Sequence, residues 1–469
     1  MTTTRVHAPS THKVRRRALG GKPARGHERQ RTGRPVRRGN PQTIVAGKDD
    51  PTLTSVGGLG AFGVFLQRIG FVPQLHTHFA RLKSHKNVVY GMPNQIRMLI
   101  DAELSGCHRV FGLEALAGDA LFTYLAGGEL PCLDTVYRDL ERFDADALVA
   151  LERLMFERGL ADVTVGMFKR VHLDIDTTVL PLFGEQEGAR KGHNSRYHGR
   201  PSYHPIVARL AESSTVVGAK LRYGDTGFGA EQAADVIEYV SRVRRAVGKK
   251  CQVYVRIDGA ADCVDIMSAI DDGGDYFVTK ADMTKDLIGA IAAQNRWTTI
   301  DADAYGKPTL QVAEIDFCRD VWRKAKTKYR VVAVRSTERL NGKQIALWDN
   351  DFTVQAFITN DRRSSGIEVA ETYDGRAGIE SQIADWKGAW NIGKVPSKVF
   401  DANHAAFLLK LLSFNLMRSW LRADYAHMLC WRTAWVRRAL ILRPGRLLRS
   451  GRSHRLRLAP RPTFEAMLN

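Results

Sequence analysis

The spacing of apolar residues changes at Val171, and this change constrains the fold more than any other feature. From about residue 55 to residue 165, apolar residues recur every three or four positions, as in Leu113, Leu116 and Leu121, which is typical of amphipathic helices. From Val171 the segment VHLDIDTTVL alternates and is rich in β-branched residues, which predicts a strand. We therefore expect a compact helical region followed by a sheet.

The order of the elements after Val171 indicates how that sheet is built. Strand-like segments cover 204–210 and 215–223, a helical segment covers 230–247, and CQVYVRID predicts a strand that ends at Asp258. The helical sequence ADCVDIMSAI and the short strand DYFVTK follow. Three strands, a helix, a strand, a helix and a strand are the order of a ribonuclease H-like α/β sheet.

The chain then becomes β-rich and afterwards helical. Between 297 and 360 lie the strand-like runs TLQVAEIDF, YRVVAVRS and FTVQAFITN, whereas 367–390 and 403–421 have helical spacing. We predict an α/β fold with a ribonuclease H-like catalytic core, interrupted by a β-rich insertion and preceded by a helical N-terminal domain. The predicted segments are a basic disordered arm at 1–50, a helical DNA-binding domain at 51–165, the first part of the core at 166–290, the β-rich insertion at 291–362, the second part of the core with the catalytic helix at 363–425 and a basic C-terminal tail at 426–469.

Positive charge is concentrated at the two ends of the chain. Of the net charge of +20, residues 1–40 contribute +11 through 12 Lys/Arg and one acid, and residues 432–461 contribute ten Arg and no acid. Clusters of this kind bind polyanions by releasing condensed counterions, and their affinity falls steeply as salt rises. DNA suits this layout, although anionic lipid or RNA would suit the charge equally well.

Composition disfavours several other classes of protein. The most apolar segment, 405–417, carries Lys410 and is too short to span a membrane, and the basic N-terminus lacks the apolar region of a secretory signal. Six scattered cysteines without a C-x-x-C pair or a spaced histidine partner favour reduced thiols over a zinc site. We therefore expect a cytoplasmic protein with no membrane partner.

Acidic residues at strand ends are the candidates for chemistry. Asp176 lies in the first strand and Asp258 closes the fourth, so their carboxylates converge if those strands are neighbours. Clustered carboxylates repel one another unless divalent cations lie between them. Mg²⁺ or Mn²⁺ suits an all-oxygen site, and two such ions ~3.5–4 Å apart can support phosphodiester displacement. Asp174, on the same strand face as Asp176, is the rival first acid, and Asp262 and Asp265 lie close to Asp258.

A third acid lies in the segment YDGRAGIESQIADWK. Tyr373, Arg376, Glu380 and Lys387 stand at relative positions 0, 3, 7 and 14, and at ~100° per residue they fall within one helical arc of roughly 60°. A carboxylate flanked by a phenol and two cations suits both a metal ion and a phosphate backbone. An exposed helix face with an ordinary i, i+4 Arg–Glu pair is the alternative interpretation.

These residues carry a resemblance to a known family. The pattern Y-x-x-R-x-x-x-E-x-x-x-x-x-x-K is similar to the Y-R-E-K signature of DDE transposases from bacterial insertion sequences. LDIDTT resembles the strand motif that bears the first catalytic Asp, VRIDGAAD resembles the second, and the β-rich segment between Asp258 and Glu380 resembles the insertion of these enzymes. The stretches QEGARKGHNSRYHGRPSYHP and WNIGKVPSKVFDANHAAFLLKLLSFNLMRSWLR resemble insertion-sequence family thirteen-eighty, and the likeness spans roughly 171–421.

The resemblance implies a DNA transposase that binds the terminal inverted repeats of an insertion sequence. It implies metal-dependent strand cleavage and strand transfer of the cut-and-paste kind, by a homodimer on double-stranded DNA in the bacterial nucleoid. The implied catalytic residues, which hold two Mg²⁺ or Mn²⁺ ions, are Asp176, Asp258 and Glu380. The residues implied to contact DNA phosphates are Tyr373, Arg376 and Lys387.

Further expectations follow from the same resemblance. A hydroxyl left at the nicked strand attacks the opposite strand to form a hairpin, and one tryptophan among Trp297, Trp322 and Trp348 stacks on a flipped base. Two other classes share part of the pattern. A ribonuclease H-like nuclease has the three acids but does not join DNA ends, and a non-catalytic DNA-binding protein derived from a transposase needs only the basic ends.

Overall fold

The structure is a computed structural model that describes residues 47–192, 198–227, 230–259, 263–324, 328–337, 345–346 and 352–460. Asp50–Asn469 form one unit, and of the unit before it only residues 47–49 are described. The arm predicted at 1–50 therefore lies almost entirely outside the described residues.

Residues 51–165 are helical, as their apolar spacing predicts. Phe62 and Phe65 are buried on one side of the first helix, and Asp119 and Asp144 cap later helices by accepting hydrogen bonds from backbone N–H groups. The elements are β1 (Leu53–Thr54), α1 (Leu59–Arg68), α2 (Phe71–Phe79), α3 (Met92–Leu104), α4 (Ala120–Ala126), α5 (Leu133–Leu140) and α6 (Ala145–Leu160), with 3-10 turns at Ala80–Lys83 and Val110–Leu116.

The strands and helices predicted after Val171 are present in the predicted order, with a short hairpin added between the first and second long strands. The elements are β2 (Arg170–Thr177), β3 (Leu180–Pro181), β4 (Ser202–Tyr203), β5 (Ile206–Leu210), β6 (Thr215–Lys220), α7 (Ala230–Val247), β7 (Gln252–Ile257), α8 (Val264–Asp272), β8 (Tyr276–Lys280) and α9 (Lys285–Ala292).

The second half of the chain adds more strands and then the helices that cover the sheet. The elements are β9 (Thr298–Ala302), β10 (Pro308–Ile315), a 3-10 turn (Asp320–Lys324), β11 (Arg330–Ser336), β12 (Ile345–Ala346), β13 (Thr353–Thr359), α10 (Gly366–Asp374), α11 (Ala377–Gly388) and α12 (Phe400–Asp424), and a 3-10 turn at Ala426–Met428 follows.

In the described part of the chain one ten-stranded mixed sheet dominates the architecture. Its order is β6–β5–β2–β7–β8–β13–β11–β10–β9, with β12 paired to β13. β2 and β7 are parallel, as are β7 and β8, and the other pairs are antiparallel. Because the carboxyl ends of parallel strands meet at the same edge, β2, β7 and β8 all end on one side of the sheet.

The β-rich segment predicted at 291–362 extends this same sheet. β13 pairs with β8 through Phe357 and Lys280, and β11, β10 and β9 follow outward. Because β13 joins the core through β8, an earlier strand that is not its neighbour in sequence, strand patterns alone could not show that the segment continues the sheet.

The two faces of the sheet are covered by different helices. Val253 and Val255 of β7 pack in the same apolar cluster as Val236 of α7. Tyr254, which points to the opposite face, packs with Val369 of α10. α12 is buried along most of its 25 residues and joins the helical region to the sheet. Among the described helices none is long and apolar enough to cross a membrane.

The single helix predicted over 367–390 is two helices. α10 ends at Asp374 and α11 begins at Ala377, with Gly375 and Arg376 between them. The assumption of one continuous helical arc is therefore wrong.

The segment predicted as a basic tail at 426–469 is folded over most of its length. α13 (Thr433–Val436) and a π-helical turn (Arg437–Ile441) lead into a hairpin formed by β14 (Gly445–Ser450) and β15 (Ser453–Leu458). β14 also pairs with β1, which makes a three-stranded sheet. Gly451 adopts a φ of 61° in the tight turn, a conformation that glycine tolerates. Residues 461–469 lie outside the described residues.

A candidate carboxylate active site

Asp176 and Asp258 lie side by side at the carboxyl edge of the sheet. Ile175 of β2 is opposite Ile257 of β7 in a parallel pair, and the two aspartates are the next residues of each chain segment. Each carboxylate accepts a hydrogen bond at 2.8 Å from the backbone N–H that follows it. The convergence predicted from strand ends is therefore present in the structure.

Arg376 connects the first acid to Glu380. Its Nη2 is 3.0 Å from Asp176 Oδ2, and its Nη1 donates to Glu380 Oε1 at 3.0 Å. The Arg376 side chain is only 5% exposed, whereas the Glu380 side chain is 64% exposed. The Arg–Glu pair at i, i+4 is thus not an ordinary surface pair, because its guanidinium is buried against a second carboxylate.

Tyr373 approaches the other aspartate. Its hydroxyl donates a long hydrogen bond of 3.4 Å to Asp258 Oδ1, and its ring lies 4.9 Å from the ring of Phe357. Burial raises the pKa of Tyr373, and Asp258 raises it further against the effect of Arg376. The phenol therefore stays protonated and acts as a donor to the carboxylate.

The rival acid Asp174 has a different environment. It is fully buried, and its carboxylate accepts hydrogen bonds from Arg256 Nε at 2.5 Å and from Arg209 Nη1 at 3.0 Å. Arg256 also donates to the carbonyl oxygen of Thr372 in α10. Two guanidinium groups thus satisfy Asp174 inside the protein, whereas Asp176 faces Asp258 and Glu380.

These two arginines also explain the glycines of the helical segment. A Cβ atom on Gly375 would lie 2.3 Å from Arg256 Nη1, and a Cβ atom on Gly378 would lie 2.6 Å from Arg209 Nη1. Glycine costs ~1 kcal/mol relative to alanine inside a helix. The close approach of the helices to the paired arginines favours glycine here, because a Cβ atom would displace a guanidinium from Asp174.

Burial controls the electrostatics of the site. It raises the pKa of Asp176 from 3.8 to about 6; Arg376 opposes this shift, and Asp258 and Glu380 add to it. Burial alone would lower the pKa of Arg376, yet Asp176 and the neighbouring acids hold it above its usual value. The mutual influence of these groups shows that the three acids share one electrostatic environment, centred on Arg376.

Two further charged residues, which sequence analysis missed, border the site: Lys280 and Asp374. Burial lowers the pKa of Lys280, while Asp258 and Asp374 oppose that shift. Lys280 ends β8, the third parallel strand at this edge. The rule that pointed to Asp176 and Asp258, a charged residue at a strand end, would have found Lys280 as well.

The remaining predicted residues are more scattered. Lys387 is exposed in the last turn of α11. Trp322 is 4% exposed and packs edge-on against Phe317, so this packing disfavours stacking on a flipped base. Trp297 lies under the guanidinium of Arg335 at 4.2 Å, and Trp348 lies outside the described residues.

The donor set of the site suits a hard divalent cation, since it consists of carboxylate oxygens. Among the described residues no three His, Cys, Asp or Glu side chains are arranged closely enough to hold a metal ion as they stand. The cation that Asp176 and Glu380 share in this structure is the guanidinium of Arg376. Glu380 is the acid least restrained by packing, because most of its side chain is exposed.

Comparisons with known proteins identify the family of the chain. No curated protein sequence matches the chain. A solved structure of piggyBac transposase, in a synaptic complex with hairpin DNA, is similar with a TM-score of 0.43 and 10% sequence identity, over 82% of this chain and 79% of that chain. Residues 36–469 match the family profile described as transposase DDE domain group 1. This match spans most of the sequence, and the chain therefore belongs to the transposase DDE domain group 1 family.

Proposed function

We propose that the chain is a DNA transposase that binds the terminal inverted repeats of a bacterial insertion sequence and moves the element by cut-and-paste. Family membership supports transposition as the activity. The observation that carries the assignment of the site is the parallel pairing of β2 with β7, which brings Asp176 and Asp258 together. The shared contact of Asp176 and Glu380 with Arg376 supports Glu380 as the third acid.

We infer a ribonuclease H-like core from the sheet order. The strands β6, β5 and β2 are antiparallel, and β2, β7 and β8 are parallel. The helices α7 and α8 connect β6 to β7 and β7 to β8. This arrangement, and the acids at the ends of the first and fourth core strands, support that interpretation.

DDE transposase domains generally depend on divalent metal ions. Asp176, Asp258 and Glu380 would hold Mg²⁺ or Mn²⁺. A bound pair of such ions would stabilise the attacking and leaving oxygens of a phosphodiester displacement. A divalent cation beside the same carboxylates would repel the guanidinium of Arg376.

Arg376 is therefore proposed to shift toward a DNA phosphate when the site is loaded. Its Nε is buried without a hydrogen-bond partner, and a guanidinium suits a phosphate because it can donate two parallel hydrogen bonds. Tyr373 would orient Asp258 and reach the same backbone, and Lys387 would contact a phosphate farther along α11.

In the proposed reaction, a water oxygen attacks the phosphorus at the transposon end. A new P–O bond forms, the bond to the 3′ oxygen breaks, and that oxygen leaves as a 3′ hydroxyl. The 3′ hydroxyl then attacks a phosphodiester of the opposite strand; a P–O bond to the flanking DNA breaks, its 3′ oxygen leaves as a hydroxyl that takes up the proton, and the transposon end is left as a hairpin. Water reopens the hairpin by the same displacement and frees the 3′ hydroxyl again. That hydroxyl attacks a phosphodiester of the target DNA and releases a 3′ hydroxyl of the target. We propose that a homodimer carries this out on paired ends, in the nucleoid.

A cleavage assay tests the proposal. The DNA that flanks the reading frame on each side is cloned around a marker as the donor, and the full-length protein is supplied with Mg²⁺. We expect excision and joining by the wild type, and loss of both in Asp176→Asn, Asp258→Asn and Glu380→Gln with DNA binding retained. Asp265→Asn is the matched control, because Asp265 is exposed in the first turn of α8.

Each possible result of this assay is informative. Cleavage without joining would favour a ribonuclease H-like nuclease. Binding without cleavage by the wild type would favour a non-catalytic DNA-binding protein. Full activity in any one of the three acid variants would remove that residue from the site.

A further inference from the structure

The C-terminal hairpin β14–β15 carries an unusual concentration of exposed positive charge. Arg446, Arg449, Arg452, Arg455 and Arg457 are all exposed. The sequence has no acid between Asp424 and Glu465. The hairpin is therefore an ordered, cationic ribbon.

The two faces of the ribbon differ in character. Leu447 and Leu456, which are directly opposite each other, pack against the helical core. On the other face Arg446 is directly opposite Arg457, and Arg455 is opposite Leu448. Residues that alternate along a strand point to opposite faces, so Arg446, Arg455 and Arg457 share the outward face.

The stability of the hairpin does not account for this arrangement. Like charges directly opposite on neighbouring strands destabilise a sheet. Within the described residues, the one carboxylate in ion-pair distance of these arginines is that of Asp50, 3.1 Å from Arg446, with the two side chains 60% and 31% exposed. Such an exposed pair contributes little. The outward face is thus a set of cations arranged for an external anion.

The ribbon is also firmly held. Leu447 donates a backbone hydrogen bond of 2.8 Å to Thr52, and Gly57 donates one of 2.9 Å to Arg443. A Cβ on Gly57 would lie 2.3 Å from the Leu458 side chain, so glycine permits the hairpin to pack closely on the start of α1. Its arginines are therefore presented from a fixed surface.

We propose that the outward face of β14–β15, formed by Arg446, Arg455 and Arg457, binds the phosphate backbone of duplex DNA. This inference rests on the proposed function, because duplex DNA is the substrate of a transposase. β15 is the free edge of the three-stranded sheet β1–β14–β15, and the major groove of B-form DNA, which is ~12 Å wide, can admit such an edge. The major groove of double-stranded RNA is too narrow and deep to admit it.

Salt dependence of binding tests the proposal with full-length protein and a 30-base-pair DNA duplex of arbitrary sequence. Affinity falls as salt rises, and each lost phosphate contact reduces the steepness of log affinity against log salt by ~0.9. The triple variant Arg446→Gln, Arg455→Gln, Arg457→Gln should therefore lose about 2.7 from the slope. Between 50 and 200 mM salt the wild type should lose about 40-fold more affinity than the variant.

Two control variants separate this role from general charge and from folding. Arg245→Gln, Lys249→Gln, Lys250→Gln removes the same charge near the amino end of β7, at the sheet edge opposite Asp258, from residues that are exposed. Its slope should equal that of the wild type. Replacing the three hairpin arginines by lysine keeps the charge and should restore the slope, which a merely structural role of arginine would not allow.

An unchanged slope in the hairpin glutamine variant, or equal losses in both glutamine variants, would overturn the inference. A double-stranded RNA of the same sequence, bound as tightly as the DNA, would overturn the assignment to DNA. If only this inference is wrong, the wild type cleaves transposon ends and the hairpin glutamine variant binds DNA with the same salt dependence as the wild type. If the proposed function is wrong, the wild type neither cleaves nor joins those ends.

Discussion

Replacing Asp174 or Asp176 by asparagine makes a matched pair of perturbations, and the structure predicts opposite effects on stability. The two residues lie on the same strand and point to the same face of the sheet. Asp174 is held by two buried arginines, whereas Asp176 is held by one arginine and lies near two other acids. The chemical change is identical, so any difference in outcome comes from the surroundings.

For Asp174→Asn, the cost follows from the arginines left behind. Arg209 and Arg256 are 9% and 5% exposed and would lose their shared negative charge. Removing one partner of a buried ion pair typically costs about 3–5 kcal/mol. Asparagine still accepts one hydrogen bond, so we expect a loss of about 3 kcal/mol in the free energy of unfolding.

For Asp176→Asn, the expected change in stability has the opposite sign at neutral pH. Burial raises the pKa of both carboxyls, but only Asp174 leaves two buried arginines without their shared carboxylate. The pKa of Asp176 is raised from 3.8 to about 6, chiefly by burial, so the folded protein favours the protonated form. The stability that this acid contributes is fully present below pH 3.8 and is lost as the pH rises through about 6. A shift of about two units corresponds to about 3 kcal/mol. Asparagine resembles the neutral form, and Arg376 keeps Glu380 as its partner.

Urea unfolding of metal-free protein in chelator, at pH 4 and pH 8, measures both effects. At pH 8 we expect Asp176→Asn to exceed the wild type by up to about 3 kcal/mol, with the difference vanishing near pH 4. Asp174→Asn should be less stable than the wild type at pH 8. Equal destabilisation by both substitutions, or a gain in Asp176→Asn that does not depend on pH, would refute the reasoning.

Three further predictions concern packing and metal binding. Gly378→Ala should lower the melting temperature, because the new Cβ would lie 2.6 Å from Arg209 Nη1. Gly388→Ala, which has no neighbouring atom within 4 Å of the new Cβ, should raise the melting temperature slightly. Equal shifts in the two variants would show that the Arg209 side chain moves aside at little cost. Lys410→Met should lower the free energy of unfolding by roughly 3 kcal/mol or more, because three backbone carbonyls lose the buried ammonium group that donates to them. An unaltered midpoint in denaturant unfolding would contradict this. Mg²⁺ should raise the melting temperature of the wild type but not of Asp176→Asn, and a chelator should abolish cleavage. An equal increase in the melting temperature of the variant would place the ion elsewhere.

Sequence patterns predicted the local elements well and the relations between them less well. The change of spacing at Val171 separates helices from strands in the structure. The acids at the ends of β2 and β7 are adjacent, because parallel pairing brings strand ends to one edge. The arc of Tyr373, Arg376, Glu380 and Lys387 failed as a description of one face of a continuous helix, since the helix breaks after Asp374. Two of the four side chains are buried.

The C-terminal segment also shows that sequence patterns do not reveal pairing between distant segments. Its arginines predicted a basic tail, and alternate leucines and a glycine turn allow a hairpin that packs on β1 and the helical core. The partner strand β1 is almost 400 residues earlier in the sequence. Composition could not reveal that pairing, because a strand becomes stable only when a partner is present.

The sequence by itself determined the types and order of the elements, the positions of the acids and the polybasic ends, because periodicity and charge are properties of neighbouring residues. Only the tertiary structure decided which of the two strand aspartates is satisfied by arginines and which faces the other acids. Only it explained Gly375 and Gly378, where a Cβ atom would collide with Arg256 and Arg209 of distant strands. These features arise from contacts between residues 35 to 116 positions apart, and such contacts leave no periodic trace in one sequence.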